Sequence, residues 1–234
     1  ENENISSSSE ENGEFSIYPS EKSKKIIFSG VGFEKKLVPI QSAKEVILRP
    51  IAYNLDEVVI VKKYETKVVE VGKNKTSISQ AFENGPRIDI KFFPYFTKYK
   101  KTKFIKQVTI ETDSRIENAT VKIHFYSVDD NGLPGAELLT KDFIISVKKG
   151  VLKTICNVSD FNLRMPKKGL FVGFEKIIIE KNKIETQVTD FNNNKTTVKK
   201  TYYPFVLYNF VERAFSFTFS GGKWIKNQNP FDRR

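Results

Sequence analysis

The stretch Thr120-Val121-Lys122-Ile123-His124-Phe125-Tyr126 decides the fold of this chain. Its second, fourth and sixth residues are apolar, and the residues between them are Lys and His. Successive side chains of a β-strand point to opposite faces, so this alternation predicts a strand with one buried face and one polar face. The sequence Asp-Asp-Asn-Gly at 129–132 then predicts that the strand ends in a turn.

Short apolar and β-branched runs predict further strands over most of the chain after residue 87. The predicted strands are 103–112, 142–147, 152–158, 169–179, 203–210 and 214–219. Almost no helical periodicity separates them. Strands at this spacing predict a two-sheet sandwich of the jelly-roll type over residues 87–226.

The composition agrees with an all-β protein large enough for two domains. Among 234 residues there are 20 Phe and 9 Tyr, and planar aromatic side chains suit a pleated, half-buried surface. No apolar run reaches the roughly 18 residues of a membrane-spanning helix. The chain also begins without an apolar signal region, so we expect that any export signal was removed or precedes this sequence.

The charge is strongly basic, with a formal net charge of +11. Such a balance is compatible with nucleic acid or an acidic surface as a partner. The lysines are spread along the chain and interleave with 28 acidic residues, however, so a solvated basic surface is the simpler interpretation.

Breaks in composition predict four parts. They are a first domain at 1–62, a connector at 63–86 that is rich in Lys, Glu and Ser, the main sandwich at 87–226, and a tail at 227–234.

Four pieces of the first domain resemble a known family. They are Gly13-Glu14-Phe15-Ser16-Ile17, Phe28-Ser29-Gly30-Val31-Gly32-Phe33-Glu34, Val46-Ile47-Leu48-Arg49-Pro50 and Leu55-Asp56-Glu57-Val58-Val59-Ile60. In this order they resemble the second half of a carboxypeptidase-like regulatory domain. The resemblance implies a non-catalytic, prealbumin-like β-sandwich, here partial because the family's first strands are missing. It also implies an exported cell-envelope protein of Bacteroidota type.

A second resemblance covers the main sandwich. Its residues are Val121, Ile123, Phe125 and Tyr126, Gly132, Pro134 and Gly135, Leu138 and Leu139, 158–163, Pro166, 169–175 and 221–224. They resemble an all-β module that follows the regulatory domain in envelope proteins of the same bacteria. This resemblance implies no particular activity.

The sequence lacks residues that the common hydrolytic mechanisms based on histidine require. A zinc carboxypeptidase needs two His and one Glu around the metal, whereas His124 is the only histidine. The Ser-His-Asp mechanism would need the same residue, and no Gly-x-Ser-x-Gly elbow is present. We therefore expect a non-enzymatic protein without a cofactor, in which His124 packs on a strand or lies at the surface. The chain has enough Asp and Glu residues to supply a catalytic pair of carboxylates, so hydrolysis by carboxylates alone stays open.

Two other residue types have simple interpretations. Asp129, Asp130 and Asn131 resemble the start of a calcium loop, but Thr140 stands where the closing acidic ligand would fall, so turn chemistry is favoured over metal binding. Cys156 is the only cysteine, which excludes an internal disulfide and predicts a small buried hydrophobic side chain.

Two aromatic segments supply the candidate binding residues. They are Tyr95, Lys98, Tyr99, Lys100, Lys101 and Lys103 in the first segment and Tyr202, Tyr203 and Tyr208 in the second. Aromatic rings among lysines suit base stacking, anionic lipid or lipopolysaccharide phosphate, or a sugar face. The alternative is that the rings pack in the core while the lysines stay in water. For an exported module we expect no nucleic acid.

These observations predict a non-catalytic binding or scaffolding protein of the bacterial cell envelope. The expected location is the periplasm or the outer membrane, with an outer-membrane protein complex as the partner. The alternative is a carbohydrate-binding jelly-roll module. The direction in which the aromatic side chains point distinguishes the two.

Overall fold

Strands dominate the structure, as the sequence predicts. The computed structural model describes residues 7–10, 12–30, 33–50, 67–72, 79–81, 87–190, 195–209, 216–220 and 223–227. Within these ranges the helical elements are short 3₁₀ helices at Ile40–Ser42, Thr97–Lys101, Ser159–Phe161 and Glu180–Asn182. No helix in this part of the chain has the length and apolar character needed to cross a bilayer. The predicted all-β fold class is confirmed.

The first predicted domain contributes one antiparallel ribbon to the described structure. Strand β1 (Lys25–Phe28) pairs with β2 (Lys36–Pro39), and the ring of Phe15 lies edge-on against Phe28, 5.2 Å between centroids. A single β-bridge then joins Phe33 to Pro50. The motif at 55–60 lies outside the described residues.

Two antiparallel sheets form the main sandwich. The large sheet runs in the order β15 (Lys223–Lys226), β14 (Ser216–Ser220), β4 (Ile88–Phe93), β10 (Leu170–Lys176) and β6 (Ala119–Val128), and β6 pairs further with both β7 (Pro134–Glu137) and β8 (Phe143–Val147). The small sheet runs β3 (Ser79–Ala81), β13 (Phe205–Asn209), β5 (Gln107–Ser114) and β9 (Gly150–Asn157). Many connections cross from one sheet to the other. The predicted β-sandwich is thus observed, and its jelly-roll type stays a prediction.

The main core lies between the two sheets. Val121, Ile123 and Phe125 of β6 point inward, as their alternation predicts, and are almost completely buried. Phe174 of β10 and Val206 of β13 pack in the same cluster. Burial of these side chains is the main source of stability in such a sandwich.

The outer face of the large sheet carries a second apolar cluster. Ile90, Phe171 and Phe217, from three neighbouring strands, are buried there. Gly173 lies directly opposite Ile90 in the register, and a Cβ at this position would collide with the Ile90 side chain and the Asp89 carbonyl. The glycine therefore allows Ile90 to cover the sheet.

A long hairpin extends from the sandwich. Strands β11 (Lys183–Asp190) and β12 (Lys195–Tyr202) pair over their full length, and the side chains described between 185 and 200 are exposed. The sequence predicts a polar excursion at 185–200 with a hairpin turn at 192–195, but it does not predict the bounds of the two strands, because polar residues occupy both faces. Residues 191–194 lie outside the described part of the chain.

A buried asparagine fixes the base of this hairpin. The Asn182 side chain accepts a hydrogen bond from the Thr120 amide (2.9 Å) and donates to the carbonyls of Thr120 (2.8 Å) and Ile177 (2.9 Å). Its own carbonyl accepts from the Tyr203 amide (2.8 Å). The hairpin is thus joined firmly to the start of β6.

Besides β11 and β12, four of the described strands were not predicted. They are β4, β7 and β15, together with β3, which falls within the predicted connector and pairs with β13. The domain division itself stays a prediction.

Candidate functional site

Three loops of the main sandwich meet at one end, which we call the basic end. Strands β4 and β6 finish there and β10 begins there, since Phe93 pairs with Leu170 and Tyr126 pairs with Phe171. Strand β5 also begins at this end and β9 finishes there, because Gln107 pairs with Asn157. The loops are 94–106, 129–133 and 158–169.

A buried tyrosine anchors the first of these loops. Tyr99 is only 4% exposed, and its ring makes edge contacts with Tyr95 (6.1 Å between centroids) and Phe96 (5.7 Å). The ammonium group of Lys98 lies 5.4 Å from the ring centroids of both Phe96 and Tyr99. With Tyr99 fixed inward, the lysines of the 3₁₀ helix point into solvent.

Backbone pairing holds the third loop beside the first. The Ile105 amide donates to the Leu163 carbonyl (2.9 Å), and the Met165 amide donates to the Lys103 carbonyl (2.8 Å). The Arg164 guanidinium lies 5.2 Å from the ring centroid of Phe104. The two loops therefore form one continuous surface.

Eight exposed cationic side chains cover this surface. They are Lys98, Lys100, Lys101, Lys103, Lys106, Arg164, Lys167 and Lys168. The three loops contain only the carboxylates Asp129, Asp130 and Asp160, so the basic end has a surplus of five positive charges. Nearly half of the chain's net charge of +11 is thus concentrated in one place.

The sequence identified only part of this surface. Lys98, Lys100, Lys101 and Lys103 were predicted, whereas Lys106, Arg164, Lys167 and Lys168 were missed. A usable signal existed: residues 90–110 and 161–174 contain no Asp or Glu, and the fold brings these two acid-free segments together.

The Asp129 loop uses its oxygens for the turn. Asp129 Oδ1 accepts hydrogen bonds from the amides of Asn131 (2.9 Å) and Leu133 (2.8 Å). The Asp130 carboxylate pairs with Lys168 Nζ at 2.6 Å, and this contact lowers its pKa. Within the described residues no group of three or more His, Cys, Asp or Glu is placed to hold a metal ion. The hydrogen bonds of Asp129 to the backbone support the prediction that this segment is a turn.

The second tyrosine segment does not join the basic end. Tyr203 lies at the opposite end, near the start of β6, and is only 6% exposed, with its ring edge-on to Phe205. Tyr202 is half-buried at the base of the hairpin, and the side chain of Tyr208 lies outside the described part of the structure. The candidate binding residues therefore separate, and the rings of Tyr99 and Tyr203 serve the core because both are buried.

His124 is buried between two carboxylates on the outer face of the large sheet. Its Nδ1 lies 2.8 Å from Glu137 Oε2 and its Nε2 lies 3.0 Å from Glu175 Oε2. The Tyr126 ring stacks on the imidazole with 5.6 Å between centroids. Burial by itself lowers the pKa of His124, but the hydrogen bonds and charges of Glu137 and Glu175 outweigh it and raise the pKa above its ordinary value. Both ring nitrogens are thus engaged.

Two further buried groups have perturbed pKa values. Burial raises the pKa of the Cys156 thiol to about 11, so it stays protonated in its buried position, as the sequence predicts. Burial lowers the pKa of Lys176 to about 8, and its ammonium group lies 4.1 Å from the ring centroid of Phe205.

Comparison with protein-family models, with curated proteins and with solved structures finds no match to this chain.

Proposed function

We propose that this protein is a non-catalytic binding protein of the bacterial cell envelope that holds a phosphate-bearing, anionic partner at its basic end. The observation that carries the proposal is the concentration of eight exposed cations on two adjacent loops. Lysines and arginines gathered on one surface create a local positive potential that attracts anions and accelerates their binding.

The sequence of the first of these loops contains no carboxylate. Six lysines occur between residues 90 and 110 without a single acidic residue, although the chain as a whole has 28 acids. A surface whose charge served solubility alone would mix both signs. The separation of charge is what a binding surface for anions requires.

The geometry around His124 supports a non-catalytic role. A general base needs a ring nitrogen free to take a proton from a substrate. Both nitrogens of His124 instead bond Glu137 and Glu175 at 2.8 and 3.0 Å. This arrangement connects three strands and suits a structural role.

The cell-envelope location and the association with an outer-membrane complex rest on the resemblance of the first domain to carboxypeptidase-like regulatory domains. That family supplies binding modules and no peptidase activity. In this proposal the first domain connects the sandwich to the complex, and the basic end holds the anionic partner.

The proposal is tested by binding to inorganic polyphosphate at low and high salt. The variant carries Lys98, Lys100, Lys101 and Lys103 changed to Ser. Because exposed charges are screened over a Debye length of about 8 Å at physiological salt, binding should weaken in this variant and at high salt. The control changes Lys148, Lys149, Lys181 and Lys199, which are exposed elsewhere, and so removes the same charge. Equal loss in both variants would show that net charge alone acts and would overturn the proposal.

A sugar-binding function is the second candidate, favoured by one observation. Phe96 is an aromatic ring beside the lysines that remains 49% exposed. One exposed ring can stack on a sugar face. Binding to a neutral glycan that is insensitive to salt and lost in Phe96→Ala would favour this candidate over the first.

A further inference from the structure

Two apolar side chains project from the basic end. Phe96 is 49% exposed on the loop after β4, and Leu133 is 42% exposed on the loop after β6. Strand β10 lies between β4 and β6 in the sheet, so roughly two strand spacings of about 4.8 Å separate the two loops. The cationic loop 158–169 ends between them, where β10 begins.

The loop that carries Leu133 is held in a fixed shape. The Asp129 amide donates to the Leu133 carbonyl (2.9 Å), and Asp129 Oδ1 accepts from the Leu133 amide (2.8 Å). The ion pair between Asp130 and Lys168 at 2.6 Å joins this loop to the cationic loop. The leucine side chain is therefore presented to solvent by a braced turn.

Phe96 is held in a similar way. Its carbonyl accepts a hydrogen bond from the Tyr99 amide (2.9 Å), and its ring rests edge-on against the buried ring of Tyr99. The Phe96 ring thus packs against Tyr99 and is otherwise largely exposed to solvent, beside the Lys98 ammonium group.

We propose that the basic end docks on an anionic lipid bilayer, with Phe96 and Leu133 inserted among the headgroups and the surrounding lysines and arginine facing the lipid phosphates. This inference rests on the proposed function and specifies the source of the phosphate. A soluble polyanion would use the cations alone. A bilayer offers phosphates and an apolar layer side by side, which complements a surface that combines cations with projecting apolar side chains.

The test compares sedimentation with two kinds of vesicle. One is made of phosphatidylcholine mixed with phosphatidylglycerol, and the other of phosphatidylcholine alone. The wild-type protein should bind the anionic vesicles and bind the neutral vesicles weakly. The double variant Phe96→Ala, Leu133→Ala should bind the anionic vesicles about tenfold more weakly, since it loses the burial of two apolar side chains. Its binding to inorganic polyphosphate should be unchanged.

A matched control and a gain of signal complete the experiment. Val151→Ala removes an aliphatic side chain that is 59% exposed near the opposite end and should bind like the wild type. Phe96→Trp should keep vesicle binding, because tryptophan suits the interface, and its emission should shift to the blue when vesicles are added.

The outcomes separate the inference from the proposed function. Unchanged vesicle binding by the double variant, or no blue shift in Phe96→Trp, would overturn the insertion of these side chains. Binding to polyphosphate without binding to anionic vesicles would overturn the bilayer and leave the proposed function standing. Failure to bind either anion would overturn both.

Discussion

His124 shows how one residue can connect three strands. Its imidazole lies on β6, Glu137 belongs to β7 and Glu175 to β10, and the Phe125 amide also donates to Glu137 Oε1 (2.8 Å). Strand β7 pairs only briefly and irregularly with β6. The Glu137 side chain therefore adds two contacts with β6 to the backbone pairing of this short strand.

The charge state of His124 makes the stability of the sandwich depend on pH. The pKa of His124 is raised in the folded protein above the ordinary 6.5, so the folded state binds more protons than the unfolded state. The stabilisation from His124 is complete below the unfolded pKa and is lost as pH rises through the folded pKa. His124→Gln should therefore lower the free energy of unfolding by about 2 kcal/mol at about pH 6, and the difference from wild type should shrink as pH rises.

Urea unfolding at a series of pH values measures this difference. The folded variant should bind polyphosphate like the wild type, since His124 does not belong to the basic end. A difference in unfolding free energy that stays constant with pH would mean that folding leaves the pKa of His124 unchanged.

Individual residues also show what sequence alone could identify. The burial of Cys156 and the turn at Asp129 follow from local chemistry and were predicted. The carboxylates beside His124 were not, because Glu137 and Glu175 are 13 and 51 residues away and meet the imidazole only through strand pairing. The same limit hid Arg164, Lys167 and Lys168 from the predicted binding surface.

At the scale of elements, the hydrophobic pattern separates β6 from the strands of the outer hairpin. Strand β6 was predicted because one face is apolar and the other polar. Strands β11 and β12 were missed, since residues such as Thr186, Lys199 and Val198 place polar and apolar side chains on both faces. Such a pattern carries no signal for a buried side, and pairing within the hairpin supplies the structure.

The hairpin formed by β11 and β12 should be dispensable for folding. Replacing residues 187–198 by Asn-Gly would join Thr186 to Lys199, which are opposite each other, through a two-residue turn. The melting temperature should be unchanged, because the removed side chains are exposed where they are described. The matched variant Asn182→Ala keeps the hairpin but leaves buried groups of Thr120 without partners, and should cost about 2 kcal/mol.

Circular dichroism melts of both variants test the role of the hairpin. A large fall in melting temperature on shortening, equal to that of Asn182→Ala, would mean that the outer hairpin packs against another part of the chain.

At the scale of the whole molecule, the fold turns a dispersed charge pattern into a local one. In the sequence most lysines interleave with acids, and only the lysines at 98–103 are predicted as part of a binding surface. In the sandwich, the crossover loops 94–106 and 158–169 meet at one end because both connect the two sheets there. The fold class could be predicted from the alternation within strands, whereas this concentration of charge could not, since it depends on strand order.

Strand order also decides where an independent sandwich begins. A sandwich that folds by itself should include β3 at Ser79–Ala81, because this strand covers the free edge of β13. We expect a piece of residues 72–227 to unfold cooperatively. One that starts at residue 84 should be less stable by about 1 kcal/mol, because it loses β3 and exposes the edge of β13.

The first domain provides the contrast. Within the described residues it pairs only β1 with β2, and a lone two-stranded ribbon is marginally stable in water. Residues 1–62 alone should therefore melt without a cooperative transition. Urea unfolding and circular dichroism of the three pieces check these expectations. Equal stability of the two long pieces would show that β3 adds nothing to the sandwich, and a sharp monomeric melt of the short piece would show that the first domain folds without further strands.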